Sequence, residues 1–339
     1  MKRPDGQTVF LGSAILIGLA ILIAIVVIPT NRPGQAEVAA SEKSKLTLSD
    51  IPFDGQRSYE MLKQICGLGS RMSGSPGMLK QQELLRDHFQ QQGGQVEFQR
   101  FAVRHPLNGS AVPMANLIVR WHPERKERIL LCAHYDTRPF PDRDSDPRKR
   151  RSLFVGANDG ASGVALLAEL GNLMPQLESK YGVDFVLFDG EELVYDDDRD
   201  PYFLGSRYFS QDYVANPPPY QYKAAVLLDM VADADLQIYQ ERHSLRWRDS
   251  RPLVKDIWKK AAELGVVEFV PRRGYEIRDD HLMLHDIAKI PACDIIDFDF
   301  GRPGSRESFW HTTEDTPDKC SALSLAKVGW VISEWLKQL

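Results

Sequence analysis

The chain has 339 residues, of which 43% are hydrophobic and 26% are charged, and its formal net charge is -5. This balance is typical of a globular protein and argues against the disordered and fibrous classes. An acidic chain has no large basic field for a phosphate backbone, so we expect no nucleic acid partner.

The N-terminal region contains an apolar stretch without any charged residue, VFLGSAILIGLAILIAIVVI, at residues 9–28. Such a stretch is long enough to cross about 30 Å of hydrocarbon as a helix. Because Lys2 and Arg3 precede it, the positive-inside rule predicts a cytoplasmic segment at 1–8, a transmembrane helix at 9–29, and a main domain on the other side, periplasmic or extracellular. A cleaved signal segment that releases a secreted protein is the alternative. The length favours the anchor, because signal peptides usually have an apolar region of about 7 to 15 residues.

The residues after this stretch divide into a linker and one domain. Residues 30–45 are polar, small and proline-containing, which is typical of a tether. We place the folded domain at 46–339, a length that suits one α/β domain. Within it, the charged run DRDSDPRKRRS at 142–152 is interpreted as a solvated surface loop. The four cysteines form no CxxC pair, so we expect buried free thiols rather than a thiolate zinc site: Cys66, Cys132, Cys293 and Cys320.

Six apolar runs bounded by turn or acidic residues predict β-strands: QVEFQRFAV, ANLIVRW, RILLCAH, VDFVLF, KAAVLLD and CDIIDF. Helical patterns lie between several of them. Ser75 and Pro76 can open a helix that runs to Gly93, PLVKDIWKKAAELG has an apolar stripe that stops at Gly265, and a last helix begins near Ala322. Alternating strands and helices favour an α/β fold with a mostly parallel sheet covered on both faces.

Polar side chains follow the predicted strands at the place where a parallel sheet binds ligands, beyond the carboxyl ends. His134 ends RILLCAH, Glu192 follows VDFVLF, and Asp229 ends KAAVLLD. Asp159 lies in GANDGASG, at the start of a returning helix, and His311 lies in FWHTTEDT after the last strand. Taken singly, these residues could be a helix cap, a turn residue or a core histidine. Together they offer only imidazole nitrogen and carboxylate oxygen, which suit zinc with one position left open.

Glu191 is the acidic residue left over when Glu192 is assigned to a metal. Consecutive residues at a strand end point in different directions, so one can bind the metal while its neighbour handles protons. A carboxylate beside a water or amine that zinc polarises is what general acid and base catalysis requires. The sequence therefore predicts Glu191 as a catalytic residue.

These motifs resemble those of the zinc aminopeptidase and glutaminyl cyclase superfamily over roughly residues 56–339. The segments that carry the resemblance are RMSGSPG, AHYDTRP, GANDGASG, FDGEE, LGSRYF, LLDM, DDH and WHT followed by EDT, in that order. The resemblance implies a three-layer α/β/α sandwich with a mixed, mostly parallel central sheet. It also implies an enzyme that acts on peptides with a free N-terminus.

The resemblance implies two alternative metal sites. In the aminopeptidases of this superfamily, the positions of His134 and Asp229 hold one zinc, those of Glu192 and His311 hold another, and that of Asp159 bridges the two. Cyclases of the animal type hold a single zinc at the positions of Asp159, Glu192 and His311. Because this sequence has all five residues, we expect one zinc if the protein is a cyclase and two if it is an aminopeptidase.

Three features are similar to the cyclases. Asp280 lies in a DDH tripeptide, Trp310 directly precedes His311, and LVYDDDRDPYF precedes LGSR as a cyclase-like insertion does. The resemblance implies that Asp229 and Asp280 form a hydrogen-bond network around the catalytic Glu191. It also implies that Trp310 forms a wall of the substrate pocket.

The chain also departs from the animal cyclases at two places. They have a cysteine pair where this chain has Cys132 and Val164, and a tryptophan where it has Asp197. Tyr195 or Tyr202 could take the place of that tryptophan.

The function we expect is that of a glutaminyl-peptide cyclotransferase, which converts the N-terminal glutamine of a peptide to pyroglutamate and releases ammonia. A zinc aminopeptidase or dipeptidase is the alternative. A non-catalytic, membrane-tethered ectodomain is a third possibility, but such a protein would be expected to lose ligands, and this sequence keeps them.

Overall fold

The computed structural model describes residues 43–301 and 307–339 of the chain. The predicted cytoplasmic segment, the transmembrane or signal stretch and nearly all of the predicted linker lie outside the described residues. Within 43–301 and 307–339, no helix combines the length and the apolar character needed to cross a bilayer.

The described residues form sixteen strands and α-helices in all. The strands are β1 (Gln95–Arg104), β2 (Ala111–Trp121), β3 (Glu127–His134), β4 (Gly182–Phe188), β5 (Gln221–Asp229), β6 (Ile238–Gln240), β7 (Phe269–Arg273) and β8 (Ala292–Ile296). The helices are α1 (Gly55–Gly67), α2 (Pro76–Gln91), α3 (Ser162–Leu170), α4 (Leu204–Ala215), α5 (Arg242–Arg246), α6 (Arg251–Glu263), α7 (His281–Asp286) and α8 (Ala322–Lys337).

The main sheet has the strand order β1-β2-β4-β3-β5-β8. The pairs β4 with β3, β3 with β5 and β5 with β8 are parallel, whereas β2 is antiparallel to both β1 and β4. The predicted α/β fold with a mixed, mostly parallel sheet is therefore confirmed. The strands β6 and β7 form a separate two-stranded ribbon, which the sequence patterns did not predict.

Helices cover both faces of this sheet, which explains why its central strands are continuously apolar. Successive side chains of a strand point to opposite faces, so β3 contributes to two cores. Leu131 belongs to a core with Val164 of α3 and Val328 of α8, whereas Leu130 belongs to a second core with Phe209 of α4. The four cysteines are buried and free, as predicted.

The helix ends follow the local signals in the sequence. The Ser75 hydroxyl accepts a hydrogen bond from the amide of Met78, and Pro76 occupies the first turn of α2, where no amide proton is needed. Past the end of this helix, Gly93 has a φ of 90°, a conformation that glycine adopts without a steric penalty. The hydroxyl of Ser321 caps α8 in the same way as Ser75 caps α2.

Candidate active site

The carboxyl ends of β3, β4 and β5 lie side by side, because β3 pairs with both of the other strands. His134 is the last residue of β3, Asp229 is the last residue of β5, and Glu192 lies in the loop after β4. Asp159 precedes α3, and His311 lies between β8 and α8. The fold therefore brings together, as buried side chains, all five residues that the sequence predicted as metal ligands.

These five side chains form two groups that share Asp159. In the first, the Nε2 atom of His311 lies 2.8 Å from Oε1 of Glu192 and 3.4 Å from Oδ2 of Asp159. In the second, Nε2 of His134 lies 3.2 Å from Oδ1 of Asp159 and 3.2 Å from Oδ1 of Asp229. In each group, one donor atom per residue lies within 4.8 Å of the others.

The donor set fits a divalent cation, and zinc in particular. The Oδ2 atom of Asp159 is buried and has no hydrogen-bond partner among the described residues, which is costly for a carboxylate unless a cation satisfies it. Zinc binds nitrogen and oxygen at about 2.0 to 2.2 Å, so the ligand atoms around one ion must lie close to one another. The ligand atoms of Asp159, Glu192 and His311 meet this condition, since all lie within 4.8 Å of one another. These three residues would hold the ion.

Hydrogen bonds from neighbouring loops fix the orientation of the candidate ligands. The backbone amide of Arg138 donates to Oε2 of Glu192 at 2.9 Å. The amide of Asp159 donates to Asp315 at 3.1 Å, and that of Glu192 donates to Asp136 at 3.0 Å. Such supporting contacts set the direction of a ligand's lone pairs and are part of most metal sites.

The backbone is strained at or next to two of the candidate ligands. His311 has a φ of 56° and Met230, which directly follows Asp229, has a φ of 48°. Left-handed backbone is uncommon for residues other than glycine, and it concentrates at functional sites where the surrounding structure enforces it. A side chain on Gly160 would place its Cβ 2.6 Å from the carbonyl oxygen of Asp136, so only glycine allows the loop to approach this closely.

Glu191 and Asp279 line the same cavity beside the candidate ligands. Burial raises the pKa of Glu191 well above its usual range, and the charges of Glu192 and Asp279 raise it further. Burial also raises the pKa of Asp279 well above its usual range, with the charges of Asp229 and Asp280 adding to the effect. Two carboxyl groups with raised pKa values therefore face one cavity.

Asp280 lies behind the cavity lining, where its charge still adds to the raised pKa of Glu191. Its carboxylate accepts a hydrogen bond from the hydroxyl of Ser206 in α4, and it does not line the cavity. Burial raises the pKa of Asp280 to about 7. The member of the DDH tripeptide that faces the cavity is Asp279, which the sequence analysis did not single out. Directly consecutive residues at the start of a helix point in different directions, and no sequence signal separates the two.

The cavity has a volume of about 430 Å³, which lies in the range of small-ligand pockets. Trp310 forms part of its wall, with its ring centroid 3.9 Å from that of His311 and 5.1 Å from that of Phe298. Met230 and Ile277 add apolar surface. The pocket thus combines an acidic, metal-binding floor with an apolar wall.

The predicted insertion and the charged run both contribute to the cavity mouth. Tyr202 and Asp197 line the cavity, whereas Tyr195 lies against His105, so Tyr202 is the tyrosine placed to contact a substrate. Arg143 is exposed, as a solvated surface loop requires, and its guanidinium lies 4.3 Å from the ring centroid of Trp310. The interpretation of the run as a solvated loop is wrong for Asp144, which is buried and accepts hydrogen bonds from the amide and the hydroxyl of Thr313. The reason is that a tertiary contact between distant loops, not the local composition, decides where this side chain lies.

Comparison with known proteins matches residues 116–336 to the sequence model of peptidase family M28. Among solved structures, the chain is similar to the glutaminyl cyclase of Fimbriiglobus ruber, with a TM-score of 0.79 and 41% identity over 85% of this chain and 96% of that one. It is also similar to a leucine aminopeptidase precursor from Bacteroides thetaiotaomicron, with a TM-score of 0.77 and 30% identity over 85% of this chain and 98% of that one.

The chain is also similar to two curated sequences. The glutaminyl-peptide cyclotransferase of Bothrops jararaca is 24% identical over 294 residues, which are 76% of this chain and 75% of that protein. The alkaline phosphatase isozyme conversion protein of Escherichia coli is 28% identical over 135 residues. That match covers 36% of this chain and 38% of the E. coli protein.

Proposed function

The chain belongs to peptidase family M28 and is an enzyme of the glutaminyl cyclase and zinc exopeptidase group, and within that group we propose that it is a zinc-dependent glutaminyl-peptide cyclotransferase. The observation that carries the proposal is the pair of carboxyl groups of Glu191 and Asp279 in one cavity. Cyclisation moves one proton from an amine to a leaving ammonia, and this pair is suited to hold and return it.

The substrate would enter with its N-terminal glutamine in the cavity and the rest of the peptide outside. Trp310 and the apolar wall would cover the methylene groups of the glutamine side chain, while Glu191 would face its α-amine. A zinc ion held by Asp159, Glu192 and His311 would polarise the γ-carbonyl group when bound.

The reaction closes a five-membered ring. The α-amine nitrogen attacks the side-chain carbonyl carbon, and the carboxylate of Glu191 takes a proton from that nitrogen. Glu191 then donates the proton to the side-chain nitrogen, the carbon–nitrogen bond breaks, and ammonia leaves. Burial raises the pKa of Glu191, and the charges of Glu192 and Asp279 add to the effect, which would suit this carboxyl to act as an acid as well as a base. The attack is intramolecular, because the α-amine and the side-chain carbonyl group belong to one residue. Holding these two groups close together supplies much of the rate.

A single zinc is part of this proposal. His134 lies between three carboxylates, at 3.7 Å from Asp136 and 3.2 Å from both Asp159 and Asp229. Burial acts to lower the pKa of His134, but its hydrogen bonds to these carboxylates outweigh burial and raise the pKa well above its usual value. A protonated His134 would occupy the place of a second cation and offset the same negative charge.

An aminopeptidase is the second candidate, and the group of His134, Asp159 and Asp229 favours it. Their donor atoms lie within 4.8 Å of one another, as a second zinc would require. Glu191 would then activate a water molecule that attacks the first peptide bond. Trp310 and the floor of the pocket would have the same positions in both enzymes. The cyclase and the aminopeptidase must therefore be distinguished by their reaction products.

The experiment is to incubate the purified, zinc-loaded chain with a peptide that begins with glutamine and to analyse the products by mass spectrometry. Loss of ammonia from the intact peptide supports the cyclase, whereas release of free glutamine supports the aminopeptidase. The variant Glu191→Gln is the control, because it keeps the size of the side chain and removes its proton transfer. Absence of both products would overturn the enzymatic proposals.

We also propose that the enzyme acts outside the cytoplasm while tethered to a membrane, on peptides with a free N-terminus. The support is the uncharged stretch at 9–28 with Lys2 and Arg3 before it. Protease treatment of intact and permeabilised cells tests the orientation, since an exported domain is cleaved without permeabilisation.

A further inference from the structure

A second and larger cavity lies next to the candidate active site. Its volume is about 710 Å³, against about 430 Å³ for the active-site cavity. Four arginines line it, together with Leu245, Gln240 and Glu276: Arg242, Arg246, Arg251 and Arg273. We call this the arginine cleft. Such a concentration of positive charge contrasts with a chain whose net charge is -5.

The arginine cleft adjoins the active-site cavity along one short segment. Glu276 lines both, and its neighbours Tyr275 and Arg278 line the active-site cavity. When the first residue of a peptide occupies the active-site cavity, the following residues therefore pass this segment where they emerge from the cavity. Extended chain advances about 3.3 to 3.6 Å per residue, so a few residues reach from one cavity to the other.

Most of the positive charge in the cleft has no ion-pair partner. Arg246 pairs with Glu276 at 3.2 Å. By contrast, Arg242 donates to the carbonyl oxygen of Gly274 at 2.8 Å, and Arg251 donates to backbone carbonyls of the α5 segment. Among the residues that the structure describes, Arg242, Arg251 and Arg273 make no salt bridge. Backbone carbonyls thus orient two guanidinium groups and leave their charge and several N–H donors available.

Arg278 extends this field to the mouth of the active site. It lines the active-site cavity, its guanidinium lies 5.8 Å from the ring centroid of Tyr202, and within the described part of the chain it has no carboxylate partner. Arginine binds carboxylates through paired N–H donors in a fixed geometry. Isolated exposed arginines are ordinary solvated residues, but several unpaired ones converging on one cavity repel each other and favour an anion.

We propose that the arginine cleft binds acidic side chains of the substrate downstream of its N-terminal residue, so that the enzyme prefers peptides in which aspartate or glutamate follows a few residues after the glutamine. This preference rests on the proposed cyclase function, and its contacts are separate from the catalytic residues. The cleft would act on substrate binding and on the rate of association rather than on the ring closure.

Two matched peptides test the preference: Gln-Gly-Ala-Glu-Glu-Ala-amide and Gln-Gly-Ala-Gln-Gln-Ala-amide, which differ only in charge. For the unaltered full-length chain, we expect a lower KM for the acidic peptide and an equal kcat. In the double variant Arg242→Gln/Arg273→Gln, KM for the acidic peptide should rise by about twofold to thirtyfold, the range for two exposed ion pairs, while the neutral peptide is unaffected. Added salt should reduce the difference between the peptides.

The variant Lys180→Gln is the matched control. Lys180 is exposed and precedes the amino end of β4, whereas the candidate active site lies at the carboxyl ends of the strands. This variant should leave both peptides unchanged. Equal kinetics of the two peptides with the unaltered chain, or an equal loss on both peptides in the double variant, would overturn the proposal.

A binding measurement keeps this inference separate from the proposed function. An N-acetylated peptide, Ala-Gly-Ala-Glu-Glu-Ala, cannot be cyclised, yet it should bind the unaltered chain more tightly than the double variant. If neither glutamine peptide releases ammonia but this difference is found, the proposed function fails and the cleft assignment holds. If ammonia is released and the acetylated peptide binds both proteins equally, the cleft assignment fails and the proposed function holds.

Discussion

Asp279 and Asp280 are consecutive residues whose carboxyl groups have different surroundings. Asp279 lines the cavity that contains Glu191, whereas Asp280 accepts a hydrogen bond from Ser206 and lies outside the cavity lining. Asp279 is therefore the one of the two that can reach a substrate in this cavity. Asp280 supports α4 against the start of α7 instead.

The first prediction follows from this difference. The substitution Asp279→Asn should lower kcat by about 100-fold or more, the typical contribution of a positioned acid–base group. Asp280→Asn should lower it by less than about tenfold, because an amide oxygen can still accept the Ser206 hydrogen bond. Steady-state kinetics with a glutamine peptide measure both, and zinc content confirms that the site is intact. Equal losses in the two variants would contradict the assignment.

The second prediction concerns the number of metal ions. His311→Gln should remove zinc from the chain, because His311 supplies one of only three proposed ligands. His134→Gln should retain one zinc per chain, since His134 lies outside that group. Elemental analysis after dialysis gives the stoichiometry directly. Two zinc ions in the unaltered chain, or loss of all zinc in His134→Gln, would favour the aminopeptidase.

The candidate ligands could be predicted from the sequence because of a general property of parallel sheets. His134 and Asp229 end neighbouring strands, and Glu192 follows a third strand that pairs with β3. The carboxyl ends of such strands meet at one edge, so apolar runs followed by acids and imidazoles indicate a shared site. The same runs predicted the strands of the main sheet, since each is long and apolar enough to be recognised.

Other parts of the site depend on contacts that no local pattern contains. Arg143 belongs to a charged run, yet its position over Trp310 depends on how two distant loops pack. The ribbon of β6 and β7 consists of short strands, and neither has enough apolar residues to be recognised alone. The arginine cleft joins residues 242–251 to Arg273 and Glu276, so it exists only in the folded chain.

The third prediction concerns Arg71, which is fully buried. Its guanidinium donates to the carbonyl oxygens of Gly69, Val155 and Gly156, at 3.1, 2.7 and 2.9 Å. These bonds fix the loop that carries Asp159. Arg71→Met removes the donors and leaves buried carbonyls unsatisfied, so it should lower the free energy of unfolding by about 3 to 5 kcal/mol and weaken zinc binding.

Denaturant unfolding at neutral pH measures the loss of stability, and zinc titration of the native protein measures the loss of affinity. Arg86→Met is the matched control, because Arg86 is a half-buried surface residue of α2 that pairs with Asp87. It should change the free energy of unfolding by less than about 0.5 kcal/mol. A variant of Arg71 as stable as that control would show that the buried hydrogen bonds do not hold the loop.

The last prediction concerns the dependence of stability on pH at Asp233, a buried residue in the segment after β5. Burial raises the pKa of Asp233 to about 6 from its usual 3.8, and the charge of Asp235 adds to the effect while that of Lys43 opposes it. Between these two values the folded chain binds more protons than the unfolded chain at this residue. Its contribution to stability is therefore fully present below about pH 4 and is lost as the pH rises through about 6.

Asp233→Asn should remove this dependence, because the amide does not ionise and its oxygen can still accept the hydrogen bond from the amide of Asp235, which is 2.9 Å long in the native chain. Relative to the unaltered chain, the variant should gain about 2 kcal/mol of stability between pH 4.5 and 7.5, out of about 3 kcal/mol for the whole shift. Denaturant midpoints at the two pH values measure the change, with Asp256→Asn on the exposed side of α6 as the control. A constant difference between variant and unaltered chain across this range would mean that Asp233 is already ionised in the folded protein at pH 4.5, and that its burial is compensated by solvent or by Lys43.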